Sequence, residues 1–216
     1  VYQNPIDNNG DGFTDLTLQN RLSLFNKIDF LHDDKRIFNL AARYIYEERW
    51  GGEMNWKPSN RGSDSIYAES IHTNRWETFG TYELPMAPDV KFQFSGNGHV
   101  QNSYYGVTPY KADQYIGFGQ LTWNTPVGNK HSLLLGGAYR YTYYDDNTFA
   151  TLSEDGFKNN PSIMHLPGIF IQDEINLNEW QKLLLGIRYD YNSIHGNVFS
   201  PRANYKWSSI DKNEII

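Results

Sequence analysis

A period of two runs through almost the whole chain and limits its fold more than any other feature. Phe92, Phe94, Gly96, Gly98 and Val100 are apolar or small, while Lys91, Gln93, Ser95, Asn97, His99 and Gln101 between and around them are polar. Successive side chains of a β-strand point to opposite faces, so this stretch reads as a strand with one apolar and one wet face. Leu183, Leu185, Ile187, Tyr189 and Tyr191 likewise share a face opposite Gly186, Arg188 and Asp190. Phe199, Ala203, Tyr205 and Trp207 alternate with Arg202, Asn204 and Lys206. Residues 22–30 and 38–46 follow the same rhythm less strictly. The pattern predicts about nine strands, each near the length a tilted strand needs to cross a bilayer.

The connections are expected to alternate as well. Short polar turns are predicted at residues 32–35, 85–89, 126–129 and 178–180. Long irregular segments are predicted at 51–73, 103–113, 145–166 and 193–198. Short turns at one end and long loops at the other are the pattern of a transmembrane β-barrel, with long loops outside the cell and tight turns in the periplasm. The alternative is a soluble or surface β-sandwich that binds glycans through exposed Trp and Tyr and carries a calcium loop.

Composition favours the barrel. The 216 residues include 6 Trp, 16 Tyr, 12 Phe and 18 Gly, yet only 39% are hydrophobic and the mean hydropathy is -0.66. A barrel combines these because only alternate residues face lipid. Tyr44, Tyr46 and Trp50, then Tyr104 and Tyr105, then Tyr139 to Tyr144, sit at the loop ends of strands; Trp123, Trp180 and Trp207 lie near the turn ends. Two aromatic belts are the expected interfacial girdles. No run approaches the length of a transmembrane helix, and the amino terminus has no secretion-signal pattern. With no cysteine there is no thiolate site or disulfide. A net charge of -6 without a basic run excludes a nucleic-acid binder. Nine is an odd number for a bacterial single-chain barrel. The expected fold is therefore all-β: a transmembrane antiparallel segment of about nine strands belonging to a larger barrel.

One stretch carries a family resemblance. Phe170-Ile171-Gln172-Asp173-Glu174 is followed by a turn, then by Leu183 through Asp190 reading L-x-x-G-x-R-Y-D, then by His195-Gly196 and Phe199-Ser200-Pro201-Arg202. It resembles a recurrent barrel stretch of TonB-dependent outer-membrane receptors. Residues 8–27 and 36–56 look like receptors of this family from Bacteroidetes-type bacteria. The resemblance covers most of the chain. It implies a partial receptor barrel over residues 1–216, without the plug domain, from a transporter of about 22 strands. It also implies outer-membrane lipid as surroundings, a TonB complex acting through the plug, and a ferric siderophore or cobalamin-type ligand.

Two residue sets are candidates for chemistry. Asp7, Asn9, Asp11, Phe13 (through its C=O) and Asp15 match the oxygen spacing of a calcium loop, with Gly12 at its tight turn. The acid expected at the twelfth position is replaced by Leu18, so Glu53, Asp64, Glu69 or water would complete the shell. The bland alternative is an Asx-rich turn. No cofactor is required; a structural calcium is the one candidate. For ligand binding, the loops offer Arg49, Trp50, Trp56, Arg61, Tyr67, Tyr104, Tyr105 and Tyr110, which suit a flat anionic ligand through charge and cation–π contact. Catalysis has no support: Asp145-Asp146 and Asp173-Glu174 are adjacent pairs that point to opposite strand faces. The histidines, His32 and His99 among them, lack metal-site spacing.

Overall fold

The computed structural model describes residues 1–31, 36–85 and 89–208. They form β1 (Leu18–Phe30), β2 (Phe38–Gly52), β3 (Ala68–Glu83), β4 (Val90–Tyr105), β5 (Thr108–Val127), β6 (His131–Asp146), β7 (Ser162–Asn178), β8 (Gln181–Asn192) and β9 (Gly196–Trp207). Each strand pairs antiparallel with its neighbours in sequence, giving one sheet in the order β1 to β9. This order does not favour the sandwich alternative, because two facing sheets would require strands that change layer.

The register explains why the alternation is so clean. Partner residues across an antiparallel sheet lie on one face. Tracing pairs across all nine strands gives Phe30, Phe38, Tyr82, Phe92, Leu121, Gly137, Ile169, Tyr189 and Phe199 in a single row. The next row, on the opposite face, reads Asp29, Asn39, Thr81, Gln93, Gln120, Ala138, Gly168, Asp190 and Val198. A one-residue slip anywhere would exchange the two rows. Nearer the loop end, Tyr44, Trp76, Gly98, Tyr115 and Tyr143 form a second apolar-face row. Gly98 belongs there because a Cβ on it would meet the Trp76 ring nitrogen at 2.2 Å. Tyr44 and Phe38 are six residues apart, about 20 Å along the strand, comparable with the roughly 25 Å apolar band of a barrel.

The apolar face has little covering it. Ile169 is 66% and Phe199 62% exposed, whereas soluble monomers rarely leave so broad an apolar surface open. Among the described residues the buried apolar side chains are few, and several, such as Ala41, Ala112 and Ala138, are small.

Two expected long loops are absent. β4 and β5 continue until only Gly106 and Val107 separate them, with Gly106 at a φ of 60°, so 103–113 is a tight hairpin. The expected segment at 193–198 shrinks to residues 193–195. The long connections that remain are 53–67 and 147–161. Strands of 12 to 20 residues exceed the roughly 9–11 that cross a bilayer. Their surplus runs beyond that band, where Asn102, Ser103, Lys111 and Asp113 show no apolar-polar alternation and read as loop, although Ser103 is fully buried. The turn expected at 32–35, with His32, and part of that at 85–89 lie outside the described residues.

Candidate functional site

The polar face of β1–β3 carries two clusters built alike. Arg43 and Glu77 are register partners, and Arg75 lies two residues from Glu77 on the same face. Glu77 accepts from Arg43 Nη2 at 2.5 Å and from Arg75 Nη2 at 2.6 Å. Nearer the loop end, Glu47 sits between its register partner Arg21, at 3.6 Å, and Arg49, at 3.1 Å. Gln19 Nε2 also donates to Glu47. In both clusters one mostly covered carboxylate is shared by two half-exposed guanidiniums. Each cluster therefore presents a net positive charge with free N–H donors, which suits a carboxylate, catecholate or phosphate oxygen. His99, the register partner of Arg75, extends the same wall.

A second polar-face group lies on β6–β8. Arg188 makes a bidentate pair with Asp190, both bonds at 2.7 Å, and its guanidinium lies 5.5 Å from the Phe170 ring centroid. The Phe170 ring rests on Gly136, where a Cβ would stand 2.2 Å away. Gln120, Thr122, Gln172, Arg188, Ser200 and Arg202 line an adjacent cavity of about 470 Å³.

The sequence candidates divide by face. Trp50, Ser70 and Tyr104 are register partners on the apolar-face side, beyond the second aromatic row. The 53–67 connection folds over them there. Trp56 is buried against Trp50, with ring centroids 4.7 Å apart. Arg61 stacks on Tyr104 at 4.6 Å and donates to Ser70 Oγ, the Asn102 carbonyl and Asn102 Oδ1. Gly62, at a φ of 80°, is required because a side chain would strike the Tyr104 ring. Trp50, Trp56, Arg61 and Tyr104 thus form a packed corner, and the first three of them line a cavity of about 230 Å³ together with Arg49 and His72. They do not open onto the polar wall. Arg49 alone of the eight joins an arginine cluster. Tyr67 and Tyr105 are exposed near the Gly106 turn, and the Tyr110 hydroxyl lies 3.0 Å from that of Tyr144.

The opening loop is closed by its own side chains. Asp7 accepts from the N–H groups of Gly10, Asp11 and Gly12. Asp11 accepts from the Phe13 N–H and from Asn9 Nδ2, and Asp15 from the backbone and side chain of Asn8. Asx turns of this kind satisfy backbone donors locally. The Phe13 segment bridges to Glu53, tying the loop to the end of β2. Among the described residues no three Asp, Glu or His side chains gather as a metal site.

Sequence reasoning did not single out Arg21, Arg43 or Arg75, and it named Arg188 only as a polar-face residue of the family stretch. Their signal was the parity of their strands, which puts each on the polar face. It also passed over Phe149 and Phe157, which stand 88% and 89% exposed on the 147–161 connection.

A search of curated protein sequences gave no match. Among solved structures, the chain is similar to the siderophore receptor PirA from Pseudomonas aeruginosa, with a TM-score of 0.60 and 12% identity. The match covers 90% of this chain and 31% of that one. The siderophore receptor PirA from Acinetobacter baumannii matches at a TM-score of 0.60 and 10% identity, over 90% and 32% of the two chains. This chain therefore spans about a third of those receptors, and at such identities the likeness is one of fold. The model of the TonB dependent receptor-like β-barrel family matches residues 1–213, and the chain belongs to that family.

Proposed function

We propose that this chain forms part of the wall of an outer-membrane receptor that imports an anionic ferric siderophore. The observation that carries the reading is the pair of Arg–Glu–Arg clusters on the polar face of β1–β3. In a barrel of this family the apolar face meets lipid and the polar face the lumen. A passing ligand would meet four half-exposed guanidiniums whose charge is only half neutralised. The exposed Phe149 and Phe157 rings at the loop end would suit first contact with a flat chelate. Cobalamin is the second ligand class; a corrinoid needs less positive charge, so the arginine clusters favour the siderophore. Energy would come from a TonB complex acting through a plug, and no residue described here is assigned to either contact.

The test is uptake by the full receptor in a deletion strain. Arg43→Ala/Arg75→Ala should reduce uptake of radio-iron as an anionic ferric catecholate and leave cobalamin uptake, if any, unchanged. Wild-type iron uptake from the double variant would overturn the reading.

A structural role is proposed for the opening loop, with Asp7, Asn9, Asp11, Phe13 and Asp15 as oxygen donors to a calcium ion that stiffens the loop end of β2. The spacing of the donors supports it. Calorimetric titration that gives no heat up to millimolar calcium would overturn it.

A further inference from the structure

We propose that the lipid face of β5–β8 holds a resident acyl chain of a membrane phospholipid, seated along the strands in a groove floored by Gly137. The inference rests on the barrel reading, because it requires the apolar face to meet a bilayer.

Two depressions of about 670 and 530 Å³ lie on this face and share Leu121, Gly137, Ile169 and Tyr189 in their walls. Together they make one groove. It begins beside Val90 and Trp123 near the turn end and reaches Gly119, Tyr139 and Tyr191. From Trp123 to Gly119 is four residues, about 13 Å along the strand, the reach of a stretch of hydrocarbon chain rather than of a compact ligand. Its side-chain walls are apolar or tyrosine.

No close contact requires the glycine at its floor. Gly98 and Gly136 are filled by the rings of Trp76 and Phe170, which a Cβ would strike at 2.2 Å. Gly137 has no positive φ, and a Cβ there would meet nothing nearer than the Gly168 carbonyl at 3.8 Å. In a row otherwise filled by large side chains from Phe92 to Phe199, position 137 is left empty by the protein itself. An apolar void of this size forfeits dispersion contacts on every wall and gives water no polar partner. Hydrocarbon is the filling that a bilayer supplies. Because the groove starts at the turn end, which is periplasmic in a barrel, the chain would come from an inner-leaflet phospholipid rather than from lipid A.

The test uses the full receptor, delipidated in detergent, reconstituted in phosphatidylethanolamine–phosphatidylglycerol vesicles, re-extracted and weighed by native mass spectrometry. Wild type should retain a phospholipid mass. Gly137→Leu should lower its occupancy several-fold, and Gly117→Leu should not. Gly117 lies on the same face, has equal room for a side chain and lies outside the groove. Heat-modifiable migration on gels reports the barrel for all three proteins, so loss of the barrel reading is distinguishable from loss of the groove. Equal lipid occupancy in Gly137→Leu and wild type, or no retained lipid in an intact barrel, would each overturn the proposal, as would lipid A in place of phospholipid on receptor extracted directly from native membranes without delipidation.

Discussion

Asp190 occupies the space in which Gly168 would carry a side chain: a Cβ on Gly168 would lie 1.9 Å from Asp190 Oδ1. The two are register partners on the lumen face, and Asp190 is 8% exposed. Gly168→Ala is therefore expected to push the carboxylate off Arg188 and to cost about 1–3 kcal/mol, the range for overpacking a tight site. The urea midpoint of the purified receptor should fall. An unchanged midpoint would mean that the pair tolerates the displacement.

Phe94 and Gln93 are neighbours in sequence and opposites in environment. Phe94→Arg puts a charge on the lipid face and should cost about 2–4 kcal/mol near mid-bilayer, seen as reduced assembly and loss of heat-modifiable migration. Gln93→Arg puts the same charge in the lumen and should assemble normally. Equal behaviour of the two variants would contradict the assignment of faces.

The strands were legible because lipid on one side and water on the other write a period of two into the sequence. Beyond the apolar band the same backbone leaves no such mark, and residues 103–113 read as a loop although they form a hairpin. The resemblance in 168–207 pointed to the family from short motifs, and strand parity then sorts residues such as Arg43 and Arg75 onto the lumen wall. The packed corner could not be read at all. It depends on Arg61 reaching Asn102, 41 residues away, a contact between two polar residues with no local pattern. Aromatics and an arginine chosen as ligand contacts proved to be held in that corner.

Trp56 is the anchor of the corner, 7% exposed and packed at a tilt against Trp50. Trp56→Ala should release the 53–67 connection, with a local loss of about 3 kcal/mol from a vacated aromatic site. Limited proteolysis should then cut within 53–67 while the strands stay resistant. Cleavage no faster than in wild type would show that the Arg61 hydrogen bonds hold the segment alone.

Asp155 offers a pH dependence at the tip of the other long connection. The Ser153 hydroxyl donates to Asp155 Oδ1 at 2.5 Å and the Phe157 N–H at 3.1 Å. These two bonds hold the carboxyl below the usual carboxylate range. A carboxyl depressed on folding adds stability that is complete above its unfolded value, about 3.9. That contribution fades as pH falls through the lower folded value. Amide exchange at Phe157, and at Lys158, whose N–H donates to Ser153 Oγ, is therefore expected to be protected at neutral pH. Once intrinsic exchange rates are divided out, that protection should drop below about pH 4. Asp155→Asn keeps an acceptor oxygen and cannot titrate, so it should retain part of the protection and lose its pH dependence. A wild-type profile in Asp155→Asn would place the titrating group elsewhere in the loop.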